Sequence, residues 1–153
     1  MKKYDRLIFV CNSDTLRAPM AKAILRSKYL LGDLDVDSRG LVVLFPEPAN
    51  PKGQAVMESH GLSLADHAAA VLEPSDFDER TLILTMDEDN QRKVFENYEN
   101  AKNVFQLSAY VGRTEEVKSP YGGTLEDYDA CYELLETFIT KLVVVLNEEE
   151  LLC

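Results

Sequence analysis

The sequence predicts an α/β fold: a four-stranded parallel twisted sheet, doubly wound, with helices on both faces. Three observations carry this expectation. Strand-like and helix-like segments alternate along the chain as βαβαβαβα, the order that gives parallel strands joined by right-handed crossovers. Thr81-Leu82-Ile83-Leu84-Thr85 is apolar at consecutive positions, as a strand covered on both faces must be. The 153 residues suffice for a single domain, 1–153, with a proper core, and no repeat, low-complexity segment or linker divides them.

The elements follow in order. Arg6 to Val10 reads as the first strand. Pro19 to about Leu31 reads as the first helix, with Met20, Ala21, Ile24 and Leu25 at helical spacing and Gly32 as its stop. Val36 to Arg39, closed by Gly40, is the second strand, and the proline-bearing Leu41–Pro48 stretch is a loop. Asn50-Pro51 supplies an N-cap and a first helical residue, and Gly61 ends that helix. Short helical pieces are expected at 65–72 and 75–79. After the 81–85 strand, Asp87 caps a helix to about Tyr98, and Asn103 to Leu107 forms the fourth strand. Ser108 to Gly123 is a long aperiodic loop, of the kind that carries function. Thr124 to Asp127 resembles a capping box opening a last helix to about Leu146, with Tyr128, Cys131, Leu135, Phe138 and Leu142 as its buried stripe and a solvated Glu148–Glu150 tail.

The chemistry concentrates in Cys11-Asn12-Ser13-Asp14-Thr15-Leu16-Arg17, a loop between the first strand and Pro19. First-turn and loop N–H groups lack intrahelical acceptors and converge on one spot, which suits an anion. A thiolate in that positive field is a nucleophile near neutral pH. An arginine at the loop's end grips two phosphoryl oxygens in a planar fork. Cys11 as nucleophile, Asn12, Ser13, Asp14, Thr15, Leu16 and Arg17 as phosphate cradle, and displacement at phosphorus through a phosphocysteine follow. The other reading is a small buried cysteine at a strand end and a solvated arginine. In a parallel sheet the loops after Thr85 and Leu107 lie at the same edge as Cys11, so the 108–123 loop can reach it.

Composition narrows the function classes. A net charge of −11 argues against nucleic acid and anionic membranes as partners, and predicts slow encounter with acidic substrates at low salt. No apolar run approaches the ~20 residues of a membrane span, and the N-terminal residues carry no signal-peptide pattern, so a cytoplasmic monomer is expected. The three cysteines, Cys11, Cys131 and Cys153, form neither a zinc motif nor a redox pair; Cys131 falls on the core stripe and Cys153 at a frayed end.

Over nearly its whole length the chain resembles the low-molecular-weight protein tyrosine phosphatases. The resemblance rests on Cys11-x5-Arg17, Pro19-Met20-Ala21, Ser38-Arg39-Gly40-Leu41, Asn50-Pro51, Gly61-Leu62, His67, Met86-Asp87-Glu88, Pro120-Tyr121-Gly122-Gly123 and Tyr128. It implies Cys11 attacking phosphorus, Arg17 clamping the equatorial oxygens, Tyr121 as an aromatic wall for the substrate, and no metal or other cofactor. The implied substrates are a phosphorylated protein or a small phosphomonoester.

The chain departs from the family pattern at the catalytic apparatus. The family's Asp-Pro-Tyr, whose aspartic acid protonates the leaving group and then activates water, reads Ser119-Pro120-Tyr121. A serine is no general acid at neutral pH, a loss of about 10²–10⁴-fold in rate; Glu115 and Glu116 are the nearest carboxyls upstream. Ser13-Asp14 replaces Gly-Asn in the cradle, removing a permissive glycine and adding a negative charge that raises the Cys11 pKa. Ala18 replaces a serine whose hydroxyl donates to the thiolate. With its partners changed, His67 is expected to have little left to brace. Two functions follow: a slow or redirected phosphatase, or a pseudophosphatase that binds phosphorylated ligands. Thr15 adds a resemblance to family members that act on phosphoarginine. An arsenate reductase of the same fold is excluded by the absence of cysteines between Cys11 and Cys131.

Overall fold

The structure, a computed structural model, describes residues 3–152; Cys153 lies outside them. Four parallel strands form one sheet in the order β2-β1-β3-β4: β1 (Arg6–Cys11), β2 (Asp35–Gly40), β3 (Thr81–Thr85) and β4 (Val104–Gln106). Helices α1 (Arg17–Arg26), α2 (Pro51–Ser59), α3 (Glu88–Asn97), α4 (Leu107–Tyr110) and α5 (Leu125–Leu152) complete the alternation. Because β2 and β3 flank β1 on opposite sides, with Phe9 opposite both Ser38 and Leu84, the winding reverses at β1. The crevice past the carboxyl end of β1 is therefore the place where this topology opens to a ligand.

The two-residue period of the strands sorts the core. Leu7 and Phe9 face the larger cluster, with Met20, Ile24 and Leu25 of α1 and Leu135, Phe138, Ile139 and Leu142 of α5. Ile8 and Val10 face the smaller one, with Leu72, Phe77, Ile83, Val94 and Val104. Cys131 sits in the larger cluster, where burial pushes its thiol up to about 11. Among the described residues no helix is long and apolar enough to cross a membrane.

Several boundaries differ from expectation for local reasons. α1 starts at Arg17, two residues before the proline, and ends at Arg26 rather than Leu31. The Ser27 hydroxyl donates to the Ile24 carbonyl at 2.6 Å, and of the apolar residues that follow Tyr29 and Leu31 are exposed while Leu30 packs on the core from outside the helix. Residues 65–72 are not helical. Their backbone joins the end of β2 instead: Gly40 N donates to Ala70 O and Leu72 N to Gly40 O, both at 2.8 Å. The 75–79 piece shrinks to one 3₁₀ turn, Pro74–Asp76. The loop after β4 opens with the single-turn α4. The acidic tail is helical to Leu152, and the Tyr110 hydroxyl donates to Glu149 at 2.7 Å.

Phe138 is fully buried where α5 packs on the sheet. Phe138→Ala should therefore lower unfolding free energy by about 3–5 kcal/mol, the usual cost of emptying an aromatic core site, read as a lower midpoint in urea.

Candidate active site

The loop from Cys11 to Arg17 is held from outside by its carbonyls. Leu41 N donates to Cys11 O (3.1 Å), Val42 N to Asn12 O (2.9 Å), His67 Nε2 to Asp14 O (2.6 Å) and Asn50 N to Thr15 O (2.8 Å). In a trans peptide the carbonyl of one residue and the N–H of the next point opposite ways. Anchoring these carbonyls outward turns the N–H groups of Asn12, Ser13, Thr15 and Leu16 inward, toward a common centre. Helix α1 adds its own free N–H groups. Its N-cap, Leu16, makes no side-chain cap and its first turn holds no acid, whereas Asn50 caps α2 and Asp87 caps α3. The uncapped terminus is thus available to an anion.

Asp14 makes the bend. It takes φ +56°, a left-handed conformation that aspartate tolerates, so no glycine is required at Ser13. Gly40 of β2 leaves room for it: a Cβ there would meet Asp14 N at 2.9 Å and the Ser13 carbonyl carbon at 2.8 Å. Ser13 Oγ and Thr15 Oγ1 share a 2.8 Å hydrogen bond, and Asn90 Nδ2 donates to Asn12 Oδ1 at 2.8 Å.

Cys11 is buried at the loop's floor. Burial pushes its thiol up; Arg17 and the N–H groups of Ala18 and Asp14 pull it down, and the Asp14 charge raises it. Ala18 therefore still serves the sulfur through its backbone, although its side chain has no hydroxyl. Arg17 is fixed by one nitrogen: Nη1 donates to Asp87 Oδ2 (2.7 Å) and to Val117 O (2.8 Å). That leaves Nε and Nη2 as the edge for a phosphoryl group. Val117 is itself buried, its N–H donating to Met86 O at 2.9 Å, which ties the 108–123 loop to the end of β3.

Asp14 is buried beneath the loop rather than lining it. Its Oδ2 accepts from Ala70 N at 2.9 Å, and its Oδ1 lies 3.7 Å from His67 Nε2. Burial raises its carboxyl, opposed by the Ser38 hydroxyl and by the Ala70 N–H. Ser38 Oγ is near enough to favour the ionised form, yet neither it nor Asp14 Oδ1 has a partner of good hydrogen-bond geometry among the described residues. Lys22 Nζ lies 3.1 Å from His67 Nδ1. An ammonium only donates and a carbonyl only accepts, so the imidazole carries its proton on Nε2. Contrary to expectation, His67 still braces the loop, because it links Lys22 to the Asp14 backbone.

A cavity of about 410 Å³ lies above the loop, walled by Asn50, Ser119 and Tyr121. Tyr121 is 82% exposed. Ser119 Oγ accepts from Tyr121 N at 3.3 Å, bent back on its own turn. Neither glutamate stands in for the missing aspartate. Glu115 pairs with Arg113, and Glu116 accepts from Glu88 N at 2.7 Å, capping α3. Elsewhere, His60, Asp129 and Glu133 bring donor atoms within 4.8 Å of one another. There His60 Nε2 donates to Asp129 Oδ1 at 2.8 Å while the ring stacks on Tyr132, a clasp between α2 and α5. Sequence reasoning placed Cys11, Arg17, Ser119 and Tyr121 around one cavity. It missed Lys22, Asn90 and the Val117 carbonyl, and took Asp87 only as a helix cap.

A family model described as low molecular weight phosphotyrosine protein phosphatase matches residues 6–151. A protein-arginine-phosphatase of Geobacillus stearothermophilus is 32% identical over 147 residues, covering 95% of this chain and 98% of its own. The low molecular weight protein-tyrosine-phosphatase PtpB of Staphylococcus haemolyticus is 32% identical over 137 residues, covering 90% and 96%. Among solved structures, the YwlE arginine phosphatase from G. stearothermophilus superposes with a TM-score of 0.88 at 32% identity, covering 95% of each chain. A low molecular weight protein tyrosine phosphatase from T. tengcongensis gives 0.83 at 32% identity, covering 90% and 97%.

Replacing the buried carboxylate tests the electrostatics. Asp14→Asn removes a charge that raises the thiol, so the pH midpoint of Cys11 alkylation by iodoacetamide should move down. The same substitution has a signed effect on stability. A carboxyl raised in the folded state stabilises least when ionised, so the wild type loses stability as pH rises from the unfolded carboxylate value through the raised one. The stability advantage of Asp14→Asn in urea should therefore grow as pH rises above the unfolded carboxylate value, about 4, and through the raised folded one.

Proposed function

The chain belongs to the low molecular weight phosphotyrosine protein phosphatase family, and on that premise we propose that it hydrolyses phosphorylated substrates through a phosphocysteine at Cys11. The carrying observation is the outward anchoring of the loop carbonyls around a buried cysteine, with Arg17 fixed at its edge.

In the proposed cycle the phosphoryl group sits in the loop, its equatorial oxygens on the inward N–H groups and on Nε and Nη2 of Arg17. Cys11 Sγ lies beneath the phosphorus and displaces the leaving group on the far side, toward Ser119 and Tyr121. The fixed N–H groups need no reorganisation as negative charge builds on the equatorial oxygens. Asp87 and the Val117 carbonyl hold Arg17 in register from behind, so its fork does not have to be ordered by the substrate. Water then attacks the phosphocysteine and releases phosphate. Tyr121, exposed at the rim, is the aromatic contact for the substrate. The substrates proposed are phosphoproteins or small phosphomonoesters; likeness to arginine phosphatases, together with Thr15 in the loop, brings phosphoarginine into the same assay.

The assay is release of 4-nitrophenol from 4-nitrophenyl phosphate. Wild type should turn over and Cys11→Ser should not; equal rates would remove Cys11 from the mechanism. Arg17→Lys keeps the charge beside Asp87 but loses the fork, and should lower kcat/KM by about 10²-fold, the value of one to two charge-assisted hydrogen bonds.

A further inference from the structure

Among the described residues, the lining of the cavity above Cys11 brings a cysteine and an anion cradle but no carboxyl group. Five carboxylates of the surrounding elements are committed elsewhere. Asp87 is held by Arg17 on one oxygen and by Asn90 N on the other. Glu116 caps α3, and Glu115 pairs with Arg113. Asp127 accepts from Thr124 N at 2.9 Å at the start of α5. Asp14 lies under the loop, bonded to Ala70 N and facing His67. The hydroxyls of the cavity belong to serine, threonine and tyrosine, which as a class are no stronger acids than a phenol.

The lining of this cavity thus offers a leaving group no carboxyl to protonate it, which favours a group that is stable as an anion. A phenolate is a poor leaving group on these terms, with a conjugate acid near pKa 10, and a guanidine nitrogen is worse, whereas a carboxylate, near pKa 4, needs no protonation (values approximate). We propose that the substrate class of this site is the acyl phosphates, mixed anhydrides of a carboxylic acid and phosphate; this rests on the reading of Cys11 as nucleophile. A lone pair of Cys11 Sγ forms the S–P bond. The bridging P–O bond breaks, and its electron pair leaves with the carboxylate. Water oxygen then forms a new P–O bond, the S–P bond breaks, and its pair returns to Cys11 as thiolate. The protons of that water stay on phosphate or pass to solvent. No redox partner enters. The inward N–H groups and Arg17 stabilise the phosphoryl oxygens equally for any leaving group, so selection falls on the leaving group alone.

The experiment measures kcat/KM, which reports steps up to departure of the leaving group whatever the later fate of the phosphocysteine. Benzoyl phosphate, 4-nitrophenyl phosphate, phenyl phosphate and phosphoarginine are compared in wild type, with Cys11→Ser as the blank. Expected is a steep fall as the leaving group becomes more basic, with benzoyl phosphate above phenyl phosphate by about 10²-fold or more, the usual worth of a general acid. Ser119→Asp should raise the phenyl phosphate to benzoyl phosphate ratio by about 10-fold or more. Phenyl phosphate or phosphoarginine matching benzoyl phosphate in wild type would overturn the proposal, because a proton donor must then be present. Activity on all four substrates that persists in Cys11→Ser, or is absent from wild type, overturns the Cys11 reading and the substrate class together. Should Ser119→Asp not fold by circular dichroism, the wild-type series decides alone.

Discussion

Everything functional in this molecule depends on which way the peptide groups of the Cys11–Arg17 loop face. A loop that simply crossed from β1 to α1 would scatter its N–H groups. Here N–H donors from Leu41, Val42 and Asn50, and the imidazole of His67, take the loop carbonyls from outside. The inward N–H groups follow from peptide planarity. Those outside donors come from the segment after β2, from the N-cap of α2 and from the 65–72 stretch. The parallel sheet gathers all three at the carboxyl edge of β1, and the reversal of winding at β1 leaves that edge open. The fold thus shapes the cradle through backbone contacts before any catalytic side chain is considered.

The charges beneath the cradle follow the same logic. A buried carboxylate under an anion site opposes the anion, and Asp14 raises the very thiol that must ionise. Its position is tolerable because Ala70 N, Ser38, His67 and Lys22 surround it, each favouring the ionised form. Lys22 is half-buried and lowered by that burial, so it too depends on the partnership. Neither charge sits comfortably alone, and His67 joins them. The chain as a whole carries a net charge of −11, whereas the loop presents N–H groups and a guanidinium, so an anion meets a favourable local field inside an acidic molecule.

Much of this was legible from the chain. The alternation of elements, the Cys11–Arg17 spacing, Asn50-Pro51 and the long α5 stripe are local patterns, and local patterns survive in sequence. What was not legible was long-range. Arg17 meets Val117 a hundred positions away, and Asn12 meets Asn90 across seventy-eight. Residues 65–72 have a helical composition, yet backbone pairing with Gly40 takes them, since the end of β2 offers a carbonyl and an N–H that a helix would leave unmet. That override delivers His67 and Ala70 N to Asp14, so the least legible segment is also the one that supports the site. α1 began earlier than Pro19 suggested because Leu16 and Arg17 already carry the chain into the helix.

The site divides into two parts with different tolerance to substitution. The cradle is made of backbone, and with Ser13 and Ala18 in place the N–H groups of Asp14 and Ala18 still serve the Cys11 sulfur. Proton transfer, as the family resemblance implies it, is made of one side chain, and at that position this chain has Ser119, whose hydroxyl accepts from Tyr121 N. A phosphatase can therefore lose its acid while keeping nucleophile, clamp and fold. What it loses is generality toward leaving groups, not the ability to hold a phosphoryl group over a thiol. The retained Arg17–Asp87 pair argues for the second capacity being in use. A buried guanidinium–carboxylate pair is often no more stable than an apolar pair of similar volume, whereas an anion in the cradle would bind the Nε and Nη2 edge that the pair leaves facing the cavity.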